Sequence, residues 1–491
     1  MERALTSVPD VQAEPGTALT RSSLYRAVWR WHFYAGLLVL PLLIWLAVTG
    51  ALFVYHDAID QRVHADLLTV PAASESAPHS AVLAAALAAQ PGAWFKYTPA
   101  AAPGRSAEVG VRTADGAKVA VYLNPANAQV LGTLSDRGTL GWTIRKLHSL
   151  KYFGPVQRGF IEMAAGWAVL LVLTGLYLWW PRGSGAAARG GVVSVRGTPR
   201  QRVYWRDLHA VTGLVVGVGL LFLAITGMPW SVLWGAQANV WANGHNFGYP
   251  AGVRVQLPLS GQPLADAAHL PWTLQQTQQP GGAGHASHPA HAQAKTEDNP
   301  HALHGEGATA QPAPAMSGPV RAALDIDTVM AQVQRLQLAP GYTVNPPQGV
   351  RGVFTASVYP HDLARQRVVH LDQFTGQPLL DVSYADYGPL GRWLEWGINI
   401  HLGQEWGVVN QLLLVAVCAG IVLLCVSGAV MWFKRRPAGG VGVPPLPAQR
   451  RALFAVTALL VVGGVVFPLV GVSMVVLAVV DACVVWWGLR G

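Results

Sequence analysis

Long apolar runs dominate the hydrophobic pattern, and the first, WRWHFYAGLLVLPLLIWLAVTGALFVY at residues 29–55, sets the template for the rest. At ~1.5 Å per residue it is longer than the ~30 Å hydrocarbon core of a bilayer. Comparable runs cover residues 155–180, 205–230 and 405–433. Two shorter ones, 452–468 and 470–488, are divided near Pro468 and read as a C-terminal hairpin that either spans twice or re-enters. Between the runs the pattern changes period. AVYLNPANAQVLGTL (120–134) and VVHLDQFTGQPLLDV (368–382) alternate like strands on either side of an Asn- or Asp-centred turn, and VGVRTADGAKVAVYL reads as a hairpin around Asp115-Gly116. Ala81–Ala89 and Ile326–Leu336 are helix-like, so each stretch between membrane runs is predicted to be a small α+β lobe.

The runs repeat. A shift of 177 residues places His32 on His209, Gly36 on Gly213 and Thr49-Gly50 on Thr226-Gly227 without a gap. A shift of 253 residues places His148 on His401, Gly154 on Gly407 and Thr174-Gly175 on Ser427-Gly428. The core is therefore two copies of helix, external lobe, helix. The expected order is an N-terminal tail (1–28), a first span (29–55), a first lobe (56–147), and a histidine segment with the second span (148–180). A basic loop (181–204), a third span (205–230) and a second lobe (231–400) follow, then a histidine segment with the fourth span (401–433), a basic loop (434–451) and the hairpin (452–491).

Composition agrees with a membrane chain: of 491 residues, 52% are hydrophobic and 12% charged, and 19 are Trp. The net charge of +9 is concentrated beside the spans, where it reads as a topology signal and not as a nucleic-acid surface. The Arg residues before the first span, those from Arg182 to Arg206, and Lys434 to Arg451 fall on one side, which places both termini in the cytoplasm and both lobes on the other side, the periplasm if the source is a Gram-negative bacterium. No small-residue cleavage site follows the first span, which is read as a retained helix. Cys418, Cys425 and Cys483 lie in apolar spans and are read as small buried hydrophobes.

Histidine is the candidate chemistry. His32 and His209 sit near one end of their spans, each with a glycine one turn further in (Gly36, Gly213) that leaves room for a flat macrocycle. His148 and His401 precede the second and fourth spans at the other end. Two equivalent pairs at two depths of a four-helix bundle is the arrangement required by two bis-imidazole haems, one near each face. Their irons would lie roughly 20 Å apart across a ~30 Å core. The plainer alternative is that these are interfacial histidines. His56, with no counterpart in the second copy, reads as a solvated span end, a proton relay with Asp57 or a spare ligand, and Glu162 as a local pair with Arg158. Residues 273–318 form a low-complexity insertion in which His285, His288, His291, His301 and His304 are either a polar linker or a loose divalent-metal site. No nucleotide-binding or hydrolase motif occurs.

WRWHFYAGL…TGALFVY, the LHS segment before GLYLWWPR, YWRDLHAVTGL…LAITG, and the strands LNPANAQVLG and LDQFTGQPLL together resemble the PepSY-associated transmembrane helix family over roughly residues 22–436, apart from the insertion. That family includes inner-membrane reductases of iron-loaded siderophores. The resemblance implies a four-helix core with two periplasmic PepSY lobes. It implies haem b, two per chain, with His32 and His209 as inner ligands and His148 and His401 as outer ones. The implied reaction is reduction of a ferric siderophore in the periplasm. Separately, Tyr359, His361 and Arg365 in the loop VYPHDLARQR read either as part of a substrate groove between the lobes or as a solvated hairpin tip. Electrons would come from a quinol, a flavin or a reductase protein. Two other readings stand beside it: a PepSY protein-binding or protease-regulating module, and a metal-handling protein that uses the His-rich loop.

Overall fold

The computed structural model describes residues 20–181, 191–250, 252–253, 259–263, 278–280, 323–348, 352–437 and 442–488. His285, His288, His291, His301 and His304 lie outside the described residues. The chain divides into two compact units, one of Met1–Pro41, Gly166–Val218 and Leu423–Gly491, the other of Leu42–Ala165 and Gly219–Val422.

Apolar runs become helices because a bilayer leaves every backbone amide to be satisfied within its own segment. The helices α1 (Arg21–Phe53), α5 (Pro155–Trp179), α6 (Arg202–Gly227), α10 (Val408–Arg435) and α12 (Pro468–Gly488) account for the five that are long and apolar enough to cross a membrane among the described residues. The first helix starts eight residues before the apolar run, at Arg21, and continues through Pro41. The hairpin is asymmetric, because α11 (Arg450–Val466) has only 17 residues. Pro468, which cannot continue α11, opens α12. The arms meet where a Cβ on Gly464 would lie 2.8 Å from the Cα of Gly471, so glycine is what permits the approach.

In the second unit the strands are β1 (Ala93–Thr98), β2 (Ala107–Arg112), β3 (Lys118–Leu123) and β4 (Val130–Ser135) from the first lobe. The second lobe gives β5 (Thr343–Asn345), β6 (Val353–Val358), β7 (Arg367–Asp372) and β8 (Pro378–Ser383). The β2–β3 hairpin turns at Gly116, whose φ of +84° is natural to glycine. The repeated turns are built alike. Asn124 Oδ1 accepts the amide of Ala126 at 3.0 Å, and Asp372 Oδ1 accepts that of Phe374 at 2.9 Å.

The two predicted lobes are not separate domains. These eight strands form one antiparallel sheet in the order β8-β7-β6-β5-β1-β2-β3-β4, with Tyr97 of β1 opposite Val344 of β5, while Leu259–Pro263 and Gln278–Pro280 pair separately. The side-chain amide of Asn345 donates to Phe95 O at 2.9 Å across the same joint. One core runs beneath it, combining Val82 and Ala86 of α3 (His79–Ala89), Val329, Met330 and Val333 of α8 (Ile326–Arg335), Tyr97, Val109, Val121, Phe354 and Leu371. Neither lobe closes that core alone, and this is the physical reason for the fusion.

Candidate functional site

The four histidines are delivered in two ways. His32 and His209 lie within α1 and α6. His148 is the last residue of α4 (Leu140–His148) and His401 the last of α9 (Pro389–His401), two short amphipathic helices that end just before α5 and α10. All four side chains are half-buried.

In the first unit, His32 and His209 face one another with ring centroids 6.5 Å apart and planes at 88°. In the second unit, His148 and His401 are close enough that a charge on the first disfavours one on the second. Burial is the larger cause, and it holds His148 at about 4 and His401 at about 3, so both imidazoles are neutral at physiological pH. The structure thus sets His32 beside His209 and His401 within electrostatic reach of His148.

A hydroxyl and a glycine from a neighbouring helix serve each ring. His32 Nδ1 lies 2.8 Å from Thr174 Oγ1, His148 Nδ1 lies 2.9 Å from Thr49 Oγ1, and His401 Nδ1 lies 2.7 Å from Thr226 Oγ1. His209 Nδ1 lies 3.0 Å from Leu424 O and 3.2 Å from Ser427 Oγ. Each of these hydroxyls already donates its proton to a carbonyl of its own helix: Thr174 to Leu170 at 2.7 Å, Thr49 to Trp45 at 2.6 Å, Thr226 to Phe222 at 2.8 Å, and Ser427 to Leu424 at 2.9 Å. His209 Nδ1 faces the Leu424 carbonyl and so carries the proton; with the Thr hydroxyl protons on their own helix carbonyls, the same assignment puts the proton of His32, His148 and His401 on Nδ1 and the lone pair on Nε2. That is the tautomer of a histidine presented to a metal.

The residue after each hydroxyl is glycine, and the ring lies against it. A Cβ on Gly175 would sit 3.4 Å from His32 Cε1, on Gly428 3.4 Å from His209 Cε1, on Gly50 3.3 Å from His148 Cε1, and on Gly227 3.7 Å from His401 Cε1. A Cβ on Gly36, one turn from His32, would meet only Leu171, at 4.0 Å. A Cβ on Gly213 would meet Leu424 at 3.4 Å.

His370 shows the contrast. It is buried in the sheet, its Nε2 donates to Gly252 O at 2.9 Å and its Nδ1 accepts from Thr355 at 2.9 Å, so neither nitrogen is left for a ligand. His56 is likewise engaged, with Nδ1 donating to Phe53 O at 2.8 Å, Nε2 3.3 Å from Asp57 and its ring stacked on Phe53. It closes the end of α1. His361 and Arg365 are exposed on the β6–β7 loop, with His361 Nε2 4.0 Å from Asp57, whereas Tyr359 packs against the buried cluster around Tyr387. Glu162, 1% exposed, accepts the amides of Leu233 and Trp234 at 2.8 and 3.0 Å and so caps α7 (Trp234–Gly244). Cys418 and Cys425 are buried, but Cys483 is exposed.

Two groups of residues escaped the sequence reading. The Thr/Ser-Gly dipeptides marked the repeat, but their role as histidine partners is visible only across helices. Asp481, an acid within the last apolar run, binds Arg30 and Tyr34 of α1.

Chemically, each pair offers two imidazoles, each with one nitrogen turned away from its helix partner. Two imidazoles flanking one metal at about 2 Å per bond have ring centres about 6 Å apart, and the 6.5 Å at His32–His209 fits that. Among the described residues no group of three or more His, Cys, Asp and Glu could hold a metal ion. Two ligands are too few for a structural zinc site, whereas they complete the coordination of a metal that brings an equatorial ring of its own. No curated protein matches the chain. Residues 29–435, which include all four histidines with their hydroxyl and glycine partners, match the PepSY-associated TM region, and the chain belongs to that family.

Proposed function

We propose that the protein is a two-haem oxidoreductase of a bacterial inner membrane, which carries electrons across the bilayer to a periplasmic ferric complex of the siderophore type. The observation that carries this reading is the fourfold recurrence of one arrangement: an imidazole whose Nδ1–H is taken by a helix hydroxyl, whose ring lies on a glycine, and whose Nε2 is free. His32 and His209 would hold one haem, and His148 and His401 the other. A bound haem supplies a one-electron iron couple.

The chain's own residues do the remainder. Thr174, Thr49, Thr226 and Ser427 fix the tautomer and rotation of each ring. Burial keeps His148 and His401 neutral. The basic flanks support cytoplasmic termini, where a quinol, flavin or reductase protein would donate. Fe(III) in hard oxygen ligands binds them less tightly as Fe(II), so one electron per iron loosens the chelate without covalent catalysis.

A reduced-minus-oxidised visible spectrum with haem quantitation on detergent-purified protein tests the proposal. Close to two b-type haems per chain, with oxidation of the reduced protein by a ferric siderophore, is the expected result. Protein expressed with ample haem that binds none would overturn it and leave a PepSY protein-binding module as the better account.

A further inference from the structure

The C-terminal hairpin lies beyond the family-matched residues, yet its Thr457, Ser473 and Asp481 each meet a helix of the first unit. Asp481 takes Arg30 through both carboxylate oxygens, with Arg30 Nε donating at 3.3 Å, and it also accepts the phenol of Tyr34. Arg30, 4% exposed, donates a further bond to Pro444 O in the segment leading to the hairpin. Trp31 Nε1 donates to Thr457 at 3.0 Å, and Trp167 Nε1 donates to Ser473 at 2.8 Å. Small residues let the hairpin approach α5. A Cβ on Gly166 would lie 2.6 Å from Val470, and one on Gly463 would lie 3.1 Å from Leu170.

The placement on α1 is specific. Arg30 and Tyr34 are four residues apart and share one face, and His32 between them is about 200° around the helix from either. Through Asp481 the hairpin therefore grips the side of α1 away from the imidazole. An acid in an apolar span is costly to insert and is tolerated when paired inside the bundle. Here the pairing defines one rotational setting of α1, the one that turns His32 towards His209.

We propose that the C-terminal hairpin is a positioning device for the first histidine pair, with Asp481 as the positioning residue that locks the rotation of α1 through Arg30 and Tyr34. The spectroscopic arm of its test rests on the haem reading above, and the cross-linking arm does not. Removing the carboxylate alone strands Arg30, so the main variant is the double change Arg30→Met with Asp481→Leu in the full chain. Asp481→Asn serves as a milder variant of equal size, and Asp481→Glu as the rescue.

The double variant is expected to lose most of the haem held by His32 and His209 while the His148–His401 haem is unchanged, which also reports an intact fold. In Asp481→Asn the large-gmax low-spin resonance expected of imidazole planes near 88° shifts, and Asp481→Glu restores it. Independently, His32→Cys with His209→Cys, in a chain with Cys418, Cys425 and Cys483 replaced by Ala, is joined by a short bifunctional thiol reagent. The yield should fall several-fold when Arg30→Met and Asp481→Leu are added. If wild-type protein carries no haem but the cross-link falls, the functional proposal fails and the hairpin's role stands. Unchanged cross-linking, together with unchanged resonance and haem content, overturns the positioning role.

Discussion

Thr174→Val isolates the contribution of a single hydroxyl. Valine keeps the volume and branching of threonine but cannot accept the proton of His32 Nδ1, now held at 2.8 Å. The hydroxyl's own bond to Leu170 O disappears as well. A buried N–H left without an acceptor costs about 1–3 kcal/mol, and the imidazole escapes it by rotating or by moving its proton to Nε2. Either response removes the free lone pair. Outer partners of metal-bound histidines typically contribute about 10–100-fold in affinity, or about 1.4–2.7 kcal/mol at ~1.4 kcal/mol per decade. The expected outcome is a haem dissociation constant at the His32–His209 pair raised by that factor, with the other pair unaffected and Thr174→Ser close to wild type. Haem titration of the stripped protein, followed at the absorption maximum, measures it. An unchanged constant in Thr174→Val would refute the argument that the hydroxyl sets the tautomer.

The glycines predict a graded series. Gly50→Ala puts a Cβ 3.3 Å from His148 and should shift the midpoint potential or reduce the haem of that pair, whereas Gly227→Ala, at 3.7 Å from His401, is ordinary contact and should leave both unchanged. Glu162→Gln replaces one of two charged acceptors of the α7 amides with a donor and should lower stability by about 1–3 kcal/mol, read as a reduced thermal midpoint with haem content preserved. Burial lowers the pKa of His370 in the folded sheet, below its unfolded value of about 6.5. Its contribution to stability is therefore fully present above about pH 6.5 and is lost as pH falls below that value, where the unfolded state takes up the proton. His370→Gln should flatten the stability profile between pH 5 and about 7, as followed by limited proteolysis, and an unaltered slope would remove His370 as its source.

Much of the fold was legible because its signals are local. Span length, the change from apolar runs to alternation, and the turn residues Asp115-Gly116, Asn124 and Asp372 need only a few neighbouring positions to be read. The internal repeat made the four histidines stand out, since His32 with His209 and His148 with His401 remain aligned while the residues around them differ. The fusion of the lobes was not legible. It depends on β1 meeting β5, with Tyr97 opposite Val344, and nothing within either strand marks its edge as a joint.

The sequence by itself determined that the chain crosses a membrane, that it is built twice from the same plan, and which imidazoles are candidates, because hydropathy and repetition are properties of the chain before it folds. Tertiary structure decided which nitrogen of each imidazole is free. That property depends on a hydroxyl and a glycine contributed by another helix, 99 residues away for His148 and 218 for His209. It also decided that one acid in the last span holds the opposite face of the helix bearing His32. An apolar run fixes only that a helix forms, and its rotation about its own axis is settled by the partners packed against it.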